Sequence, residues 1–440
     1  LAFEEKNDLF QLEEDGLYIW DILRFHVYVN YMWDNFRDQQ PKQSAFGLLL
    51  KLIRRLVYLI RFLFRPARPH LFYLHSRDRQ PGGRFYDKNA HDFLQRMAGE
   101  SHILETCEGR GMRYVYPVSL FNPANLFNRL YYWLYRERDY SGLVELINRE
   151  LDLKWDNRNI NRHISYFRSE RIFYNWLFRM KKPKRVYVTF NLPKALYCAA
   201  RESGVETIEF QHGIIDRGHI AYNYPAAIRA GGRVYCPDLL LTFSGFWCRD
   251  INYPVKRIIP VGNTVLADVE ITGKTFDPES RVVGFISADV FGHSLAELAI
   301  QYAQLHPNDH ILFKLHPNQF SRRKEYYKLF QHYPAILVIT NERPTEKVIL
   351  SCDAIVLIQS TIAYQALQAG IPVFIYKRMT YYRHAHIFTS PNVRLIDDAR
   401  QVVLSNKKVS PGPDDIFFEE FNERVYLLLS KSGSQIRTMR

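Results

Sequence analysis

Residues 310–376 read HILFKL HPNQFSRRKEYYKLFQHYP AILVIT NERPTEKVILSCD AIVLIQ STIAYQALQAG IPVFIY. Short apolar runs rich in Ile, Val and Leu alternate with longer segments, of which STIAYQALQAG has helical composition. Consecutive strands separated by such crossovers run parallel, and right-handed crossovers wind the chain into a doubly wound sheet. Upstream, RVVGFIS (281–287) supplies the first strand of this series, followed by a helix over SLAELAIQYAQL (294–305).

Working outward, the same alternation recurs. RVYVTF (185–190), a helix across KALYCAARES (194–203) and VETIEF (205–210) form a βαβ unit. LLLTF (239–243) and RIIPVG (257–262) continue that sheet, and LFYL (71–74) and HILET (102–106) open it. Residues 120–182 are aromatic and basic and read as mostly helical. Residues 17–33 (LYIWDILRFHVYVNYMW) are compatible with helix or strand. A polar, turn-rich stretch at 266–280 marks a boundary. The expected organisation is an N-terminal segment (1–69), a Rossmann-like domain (70–270), a second Rossmann-like domain (271–412) and a C-terminal helix (413–440) packing back on the first domain. The fold class is α/β, with two doubly wound parallel-sheet domains facing a central cleft.

Composition narrows the classes. The chain has 440 residues, 47% hydrophobic and 15% aromatic, enough for two cores. A net charge of +13 favours anionic partners: nucleic acid, anionic lipid or phosphorylated substrates. Cys107, Cys198, Cys236, Cys248 and Cys352 are scattered without CxxC spacing, which fits a reducing compartment and indicates neither a zinc site nor a disulfide framework. No secretory signal pattern is read. Residues 46–65 (FGLLLKLIRRLVYLIRFLFR) have no apolar run long enough to span a bilayer. In a helix, Lys51, Arg54, Arg55, Arg61 and Arg65 fall on one narrow face. The expectation is an interfacial helix with its cations toward lipid phosphates; the alternative is a core helix with a basic solvent edge.

Three strand ends carry candidate chemistry. Gln211-His212-Gly213 follows VETIEF at the carboxyl rim, where open α/β sheets bind ligands. Gly213 would let the backbone pass close to a ligand. Glu209, His212, Asp216 and His219 cluster within eleven residues, and His212 or Asp216 is the type suited to act as general base. Glu209 reads equally as a core-edge residue or a rim carboxylate. Lys314 and His316 end HILFKL before Pro317, placing an imidazole and an ammonium where a phosphate oxygen would bind. Ser360 and Thr361 open a helix, where hydroxyls and free N–H groups make an anion site or simply an N-cap. Gln365, one turn on, would reach ribose hydroxyls.

Absent patterns also discriminate. There is no Asp-x-Asp for a metal–diphosphate, no P-loop, no GxGxxG after a strand, no HExxH and no GxSxG.

KLHP, the run ST-IAYQALQAGIPV and the upstream QHG resemble elements of the GT-B glycosyltransferases of bacterial capsule and lipopolysaccharide assembly, including those that use CMP-sugars. The resemblance covers residues 185–400. It implies that His316, Ser360 and Thr361 hold the donor phosphate, with Gln365 where relatives carry a glutamate toward the ribose. It places His212 near the acceptor. It implies no metal and no cofactor beyond the nucleotide-sugar substrate, the helix start and basic groups meeting the leaving phosphate instead.

The expectation is therefore a GT-B glycosyltransferase, cytoplasmic and peripheral on the inner face of the membrane. Its partners would be a nucleotide sugar (CMP- or UDP-linked), a glycan or lipid-linked glycan acceptor and an anionic membrane surface, with no nucleic acid. Rival expectations are a nucleotide-sugar 2-epimerase, a polyol-phosphate transferase, a nucleic-acid-binding protein or a noncatalytic scaffold.

Overall fold

The computed structural model describes residues 1–33, 45–80, 82–109, 111–190, 193–229, 231–249, 251–268, 280–288, 291–340, 342, 345–404 and 416–430. The chain forms two compact units: Leu1–His212 with Ile220–Thr242 and Ile251–Ile259, and Gly213–His219 with Phe243–Asp250 and Pro260–Arg440. Most of the turn-rich stretch expected as a boundary, and the 412/413 division, lie outside the described residues.

In the first unit, a two-residue Asp15-Gly16 turn, both residues at positive φ, closes a small hairpin ahead of helix α1 (Ile19–Trp33). Residues 17–33, open between helix and strand by sequence, are thus mainly helical. Helix α2 (Ala45–Leu63) follows, then strands β1 (His70–Leu74), β2 (Ser101–Glu105) and β3 (Leu120–Phe121). Helix α3 (Ala124–Leu134) and the long α4 (Asn157–Lys181) precede β4 (Arg185–Val188), α5 (Lys194–Glu202), β5 (Glu206–Phe210), β6 (Leu239–Thr242) and β7 (Arg257–Pro260). Asp156 starts α4 by accepting from the Asn159 amide at 2.7 Å.

The sheet order is β7-β6-β5-β4-β1-β2-β3, with parallel pairing from β3 through β6. Strands β1 to β6 are buried on both faces, as a parallel sheet covered by helices requires, while the edge strand β7 is partly exposed. Phe72 and Tyr187 sit in register on β1 and β4 and stack at 4.6 Å.

The second unit contains β8 (Val282–Ile286), α6 (Gly292–Leu305), β9 (His310–Lys314), β10 (Ile336–Ile339), β11 (Ala354–Leu357), α7 (Ile362–Gln368), β12 (Val373–Tyr376) and β13 (Val393–Ile396). All pairs are parallel, in the order β10-β9-β8-β11-β12-β13. Counted within each unit, both sheets run 3-2-1-4-5-6, with a seventh strand added in the first. The order reverses between strands one and four, where ligands bind at the carboxyl edge. Gly370, at φ 74°, ends α7 in the left-handed conformation before Pro372 leads into β12. At Gly262 (φ 75°), a Cβ would come within 2.1 Å of the Glu420 carbonyl, so the C-terminal segment packs where only glycine fits. Phe417 and Phe418 are buried there, with the Trp247 indole donating to the Phe417 carbonyl at 2.7 Å.

Helix α2 corrects one expectation. Its cations do not form a free basic face. The buried Glu108 carboxylate pairs with Arg55 at 2.9 Å and with Arg54 at 3.5 Å, and Arg65 donates to Ser119. Lys181 bonds the Leu63 and Arg65 carbonyls, a cation at a helix C-terminus. The face bearing Arg54, Arg55, Tyr58 and the buried Phe62 turns toward the protein, and the apolar face turns outward. Among the described residues, no helix is long and apolar enough to cross a membrane.

Candidate active site

The carboxyl edge of the first sheet gathers side chains from adjacent strands. His212 follows β5. Its Nδ1 lies 3.0 Å from the Tyr222 hydroxyl, and that hydroxyl lies 2.9 Å from Glu209 Oε1. Tyr197 and Tyr253 donate to Glu209 Oε2 at 2.8 and 2.9 Å. Glu209 is 0% exposed. Burial raises its pKa, while the three tyrosine bonds pull the other way. A hydroxyl has one proton, and Tyr222 gives it to the carboxylate. The Nδ1 of His212 must therefore donate, which leaves the lone pair on Nε2. Glu209, expected either at the core edge or on the rim, lies wholly inside, where it meets tyrosines and no solvent.

Helix α1 holds the segment that carries Tyr222. Arg24, itself buried, pairs with Glu4, donates to the Ile220 and Asn223 carbonyls, and lies over the Tyr224 ring at 4.3 Å. Lys194 bonds both Asp21, at 3.1 Å, and the Tyr224 hydroxyl, at 2.6 Å.

Next to His212 in the row stand Phe190, after β4, and His75, after β1. Their ring centroids step from His212 to Phe190 at 6.2 Å and on to His75 at 5.7 Å. The Thr106 hydroxyl donates to the Leu74 carbonyl, so it accepts from His75 Nδ1 at 2.7 Å. Burial, with Arg77 nearby, pulls the His75 pKa down to about 4.

Two buried carboxyl groups lie behind this row. Asp87 accepts from the amides of His75 and Asn89 and from the Thr189 hydroxyl. Glu105, ending β2, accepts on Oε1 from the amides of Ser76 and Cys107, while Oε2 has no partner among the described residues. Burial pushes Asp87 up to about 6 and Glu105 up to about 7.

The rest of the QHG loop differs from expectation. Gln211 is 0% exposed, and its amide extends the ladder to the Leu241 carbonyl. Among the described residues, none beyond its two chain neighbours comes within 4 Å of where a Gly213 Cβ would stand. Residues Gly213–His219 belong to the second unit. There Asp216 accepts from Arg383 Nε at 2.9 Å and from the Gly218 amide at 2.7 Å. Asp216, expected as a candidate general base, is thus engaged in an ion pair within the second unit. His219, half-buried, donates its amide to the Asp216 carbonyl.

In the second unit, His316 caps the 3-10 turn Pro317–Arg322 after β9. Its Nδ1 accepts from the Asn318 amide at 3.2 Å, so the proton sits on Nε2, a donor. Gln319 answers by accepting from the His316 amide at 3.1 Å, takes the Ser287 hydroxyl at 2.7 Å, and donates to the Ala288 carbonyl. A Cβ on Gly292 would collide with Gln319 Nε2 and the Tyr326 hydroxyl, which explains the glycine at the start of α6. Lys314 does not present its charge at the rim. It is buried, with its ammonium on the Thr340 carbonyl.

The start of α7 is largely satisfied by the chain itself. The Ser360 hydroxyl accepts from the Ile362 amide at 3.3 Å, and the Ser360 amide donates to His384 Nε2 at 3.1 Å. Among the described residues, Thr361 makes no side-chain cap bond. Gln365 is buried rather than open to a ribose, and its Nε2 has no partner among the described residues. Burial takes the pKa of His384 down to about 3.

His75, Asp87, Glu105, Phe190 and Tyr222 were missed in the sequence. They lie in loops or at strand ends far apart along the chain. For His75, Glu105 and Phe190 the available signal was that each follows or closes an apolar run; Asp87 and Tyr222 lie in polar loops that carry no such signal.

No known protein family matches the chain, and no curated protein matches it. Several solved structures are similar. Methanocaldococcus jannaschii UDP-GlcNAc 2-epimerase, in complex with UDP-GlcNAc and UDP, is 13% identical. It covers 82% of this chain and 99% of its own, with a TM-score of 0.49. Acinetobacter baumannii MurG is 10% identical over 82% of this chain and 91% of its own, with a TM-score of 0.41. The glycotransferase of kitacinnamycin is 14% identical over 77% and 88%, with a TM-score of 0.43. Similarity of this degree leaves the chemistry of this chain to its own residues.

Proposed function

We propose that the chain is a glycosyltransferase of GT-B type that moves a sugar from a CMP- or UDP-linked donor to a hydroxyl of a lipid-linked or growing glycan, of the bacterial capsule or O-antigen kind. The observation that carries this reading is the bond pattern around His212. A carboxylate, a phenol and an imidazole in line leave a basic Nε2 at the carboxyl edge of a parallel sheet. His212 Nε2 takes the proton of the acceptor hydroxyl. The acceptor oxygen bonds the anomeric carbon as the bond from that carbon to the phosphate oxygen breaks, and the nucleotide leaves with the electron pair. His212 rather than His75 is the base, because burial leaves the His75 imidazole a weak base at about 4. Glu209 and Tyr222 position the base without touching substrate. In the second unit, His316 Nε2–H donates to a phosphate oxygen of the donor, and the Thr361 hydroxyl assists. No metal is needed in this scheme.

The first test is thermal stability of the purified chain with CMP, CDP, UDP or GDP and no added metal, followed by mass spectrometry of products from the matching sugar nucleotide. A ligand bound only by the folded state raises the unfolding temperature. A shift with one nucleotide and transfer to a glycan supports the proposal. Interconversion of a UDP-sugar without any acceptor replaces it with the epimerase reading, and no shift with any nucleotide removes it.

A further inference from the structure

Residues 45–68 contain Lys51, Arg54, Arg55, Arg61, Arg65 and Arg68 and no Asp or Glu. With Arg54, Arg55 and Arg65 bonded inward, the face of α2 that remains outside is apolar. At about 100° per residue, Leu50, Ile53, Val57, Ile60 and Phe64 share one arc. All five are exposed, Phe64 by 85%. Arg61 is exposed at the edge of that arc.

A second stripe follows. β3 packs under α2, with Tyr58 and Phe121 centroids 4.7 Å apart, and α3 begins shortly after it. Phe127, Leu130, Trp133 and Leu134 form an exposed stripe on α3, with Trp133 80% exposed. Arg129 and Arg136 are exposed beside it, and residues 124–136 also lack an acid. Isolated exposed apolar residues are ordinary, but two helical stripes with large aromatics at the surface are not.

We propose that these stripes seat the chain on an anionic lipid bilayer, with the apolar side chains in the acyl boundary and Arg61, Arg129 and Arg136 at headgroup phosphates. Trp and Phe flanked by arginine suit the membrane interface, where ring and cation meet lipid and water together. Charge selects the bilayer over a second copy of the chain. A two-fold contact through α2 would set Arg61 against its own symmetry mate, with no acid in residues 45–68 to compensate. The inference does not depend on the transfer reaction.

The test is co-sedimentation of the full chain with vesicles of phosphatidylcholine alone and of phosphatidylcholine mixed with phosphatidylglycerol. The expected result is binding to the anionic vesicles, weakened by salt. The triple substitution Ile53→Ser, Ile60→Ser and Phe64→Ser changes only exposed positions and is expected to abolish it. Arg61→Gln is expected to weaken it about fivefold. Leu337→Ser, an equally exposed change in the second unit, is expected to leave binding unaltered. Three results would overturn the proposal: no binding by the wild type, equal binding by the triple variant, or a wild-type dimer that the triple variant converts to monomer.

Discussion

The Tyr222 hydroxyl lies 3.0 Å from His212 Nδ1, and this contact decides which imidazole nitrogen is basic. Tyr222→Phe removes the acceptor for Nδ1–H while preserving the ring packing. Turnover should fall on the order of tenfold to a hundredfold with KM nearly constant. His212→Ala should cost about a hundredfold or more, the range of general base catalysis. Glu209→Gln should fall between them. Steady-state kinetics with a shared donor checks this ranking. Wild-type turnover in His212→Ala would remove it from the mechanism.

His316 donates from Nε2 because its Nδ1 is occupied by the Asn318 amide. His316→Ala should weaken nucleotide affinity by about tenfold, the loss of one hydrogen bond to a charged group, with kcat little changed. Calorimetric titration of the nucleotide gives the answer directly. Unchanged affinity with lowered kcat would move His316 from binding to chemistry.

Arg383 and Asp216 form a partly buried ion pair within the second unit. Arg383→Ala leaves the carboxylate and the Ile214 carbonyl without that donor, and should destabilise the unit by about 3 kcal/mol. Adding Asp216→Asn should recover part of the loss, since the stranded charge is then gone. Urea unfolding of both variants reads the difference. A loss no smaller in the double variant would assign the cost to packing instead.

Glu105 supplies a pH signature of stability. Burial raises its carboxyl to about 7, from 4.5 when exposed. The folded state therefore holds a proton that the unfolded state has released, and stability falls as pH rises between those values. Glu105→Gln keeps the Oε1 acceptor and cannot ionise. Its stability relative to wild type should grow by on the order of 3 kcal/mol from pH 4 to pH 8. Parallel pH profiles for the two proteins would refute this role.

If the leaving phosphate is met by protein donors alone, EDTA should leave transfer unchanged. A loss of activity with EDTA, restored by one divalent cation, would contradict the metal-free scheme.

Much of the architecture was legible in the chain. The runs at 310–315, 335–340, 354–359 and 371–376 contain β9, β10, β11 and β12, because local composition and crossover length together dictate a parallel strand. The short β3 was not legible: Leu120 and Phe121 are too few to carry a period. The strand-end histidines His212 and His316 were also visible, since each stands where an apolar run stops.

What each polar group does was decided by tertiary structure. The amphipathic pattern at 46–65 says that a helix has two faces, and the distant Glu108 chose which one turns inward. Glu209 became an internal support because Tyr197, Tyr222 and Tyr253 converge on it from three other segments. Asp216 met Arg383, and Lys314 met the Thr340 carbonyl. Strand and helix follow from short-range backbone and side-chain preferences, which a sequence shows directly. Burial, proton position and ion pairing depend on which distant residues arrive alongside, and only the folded chain brings them together.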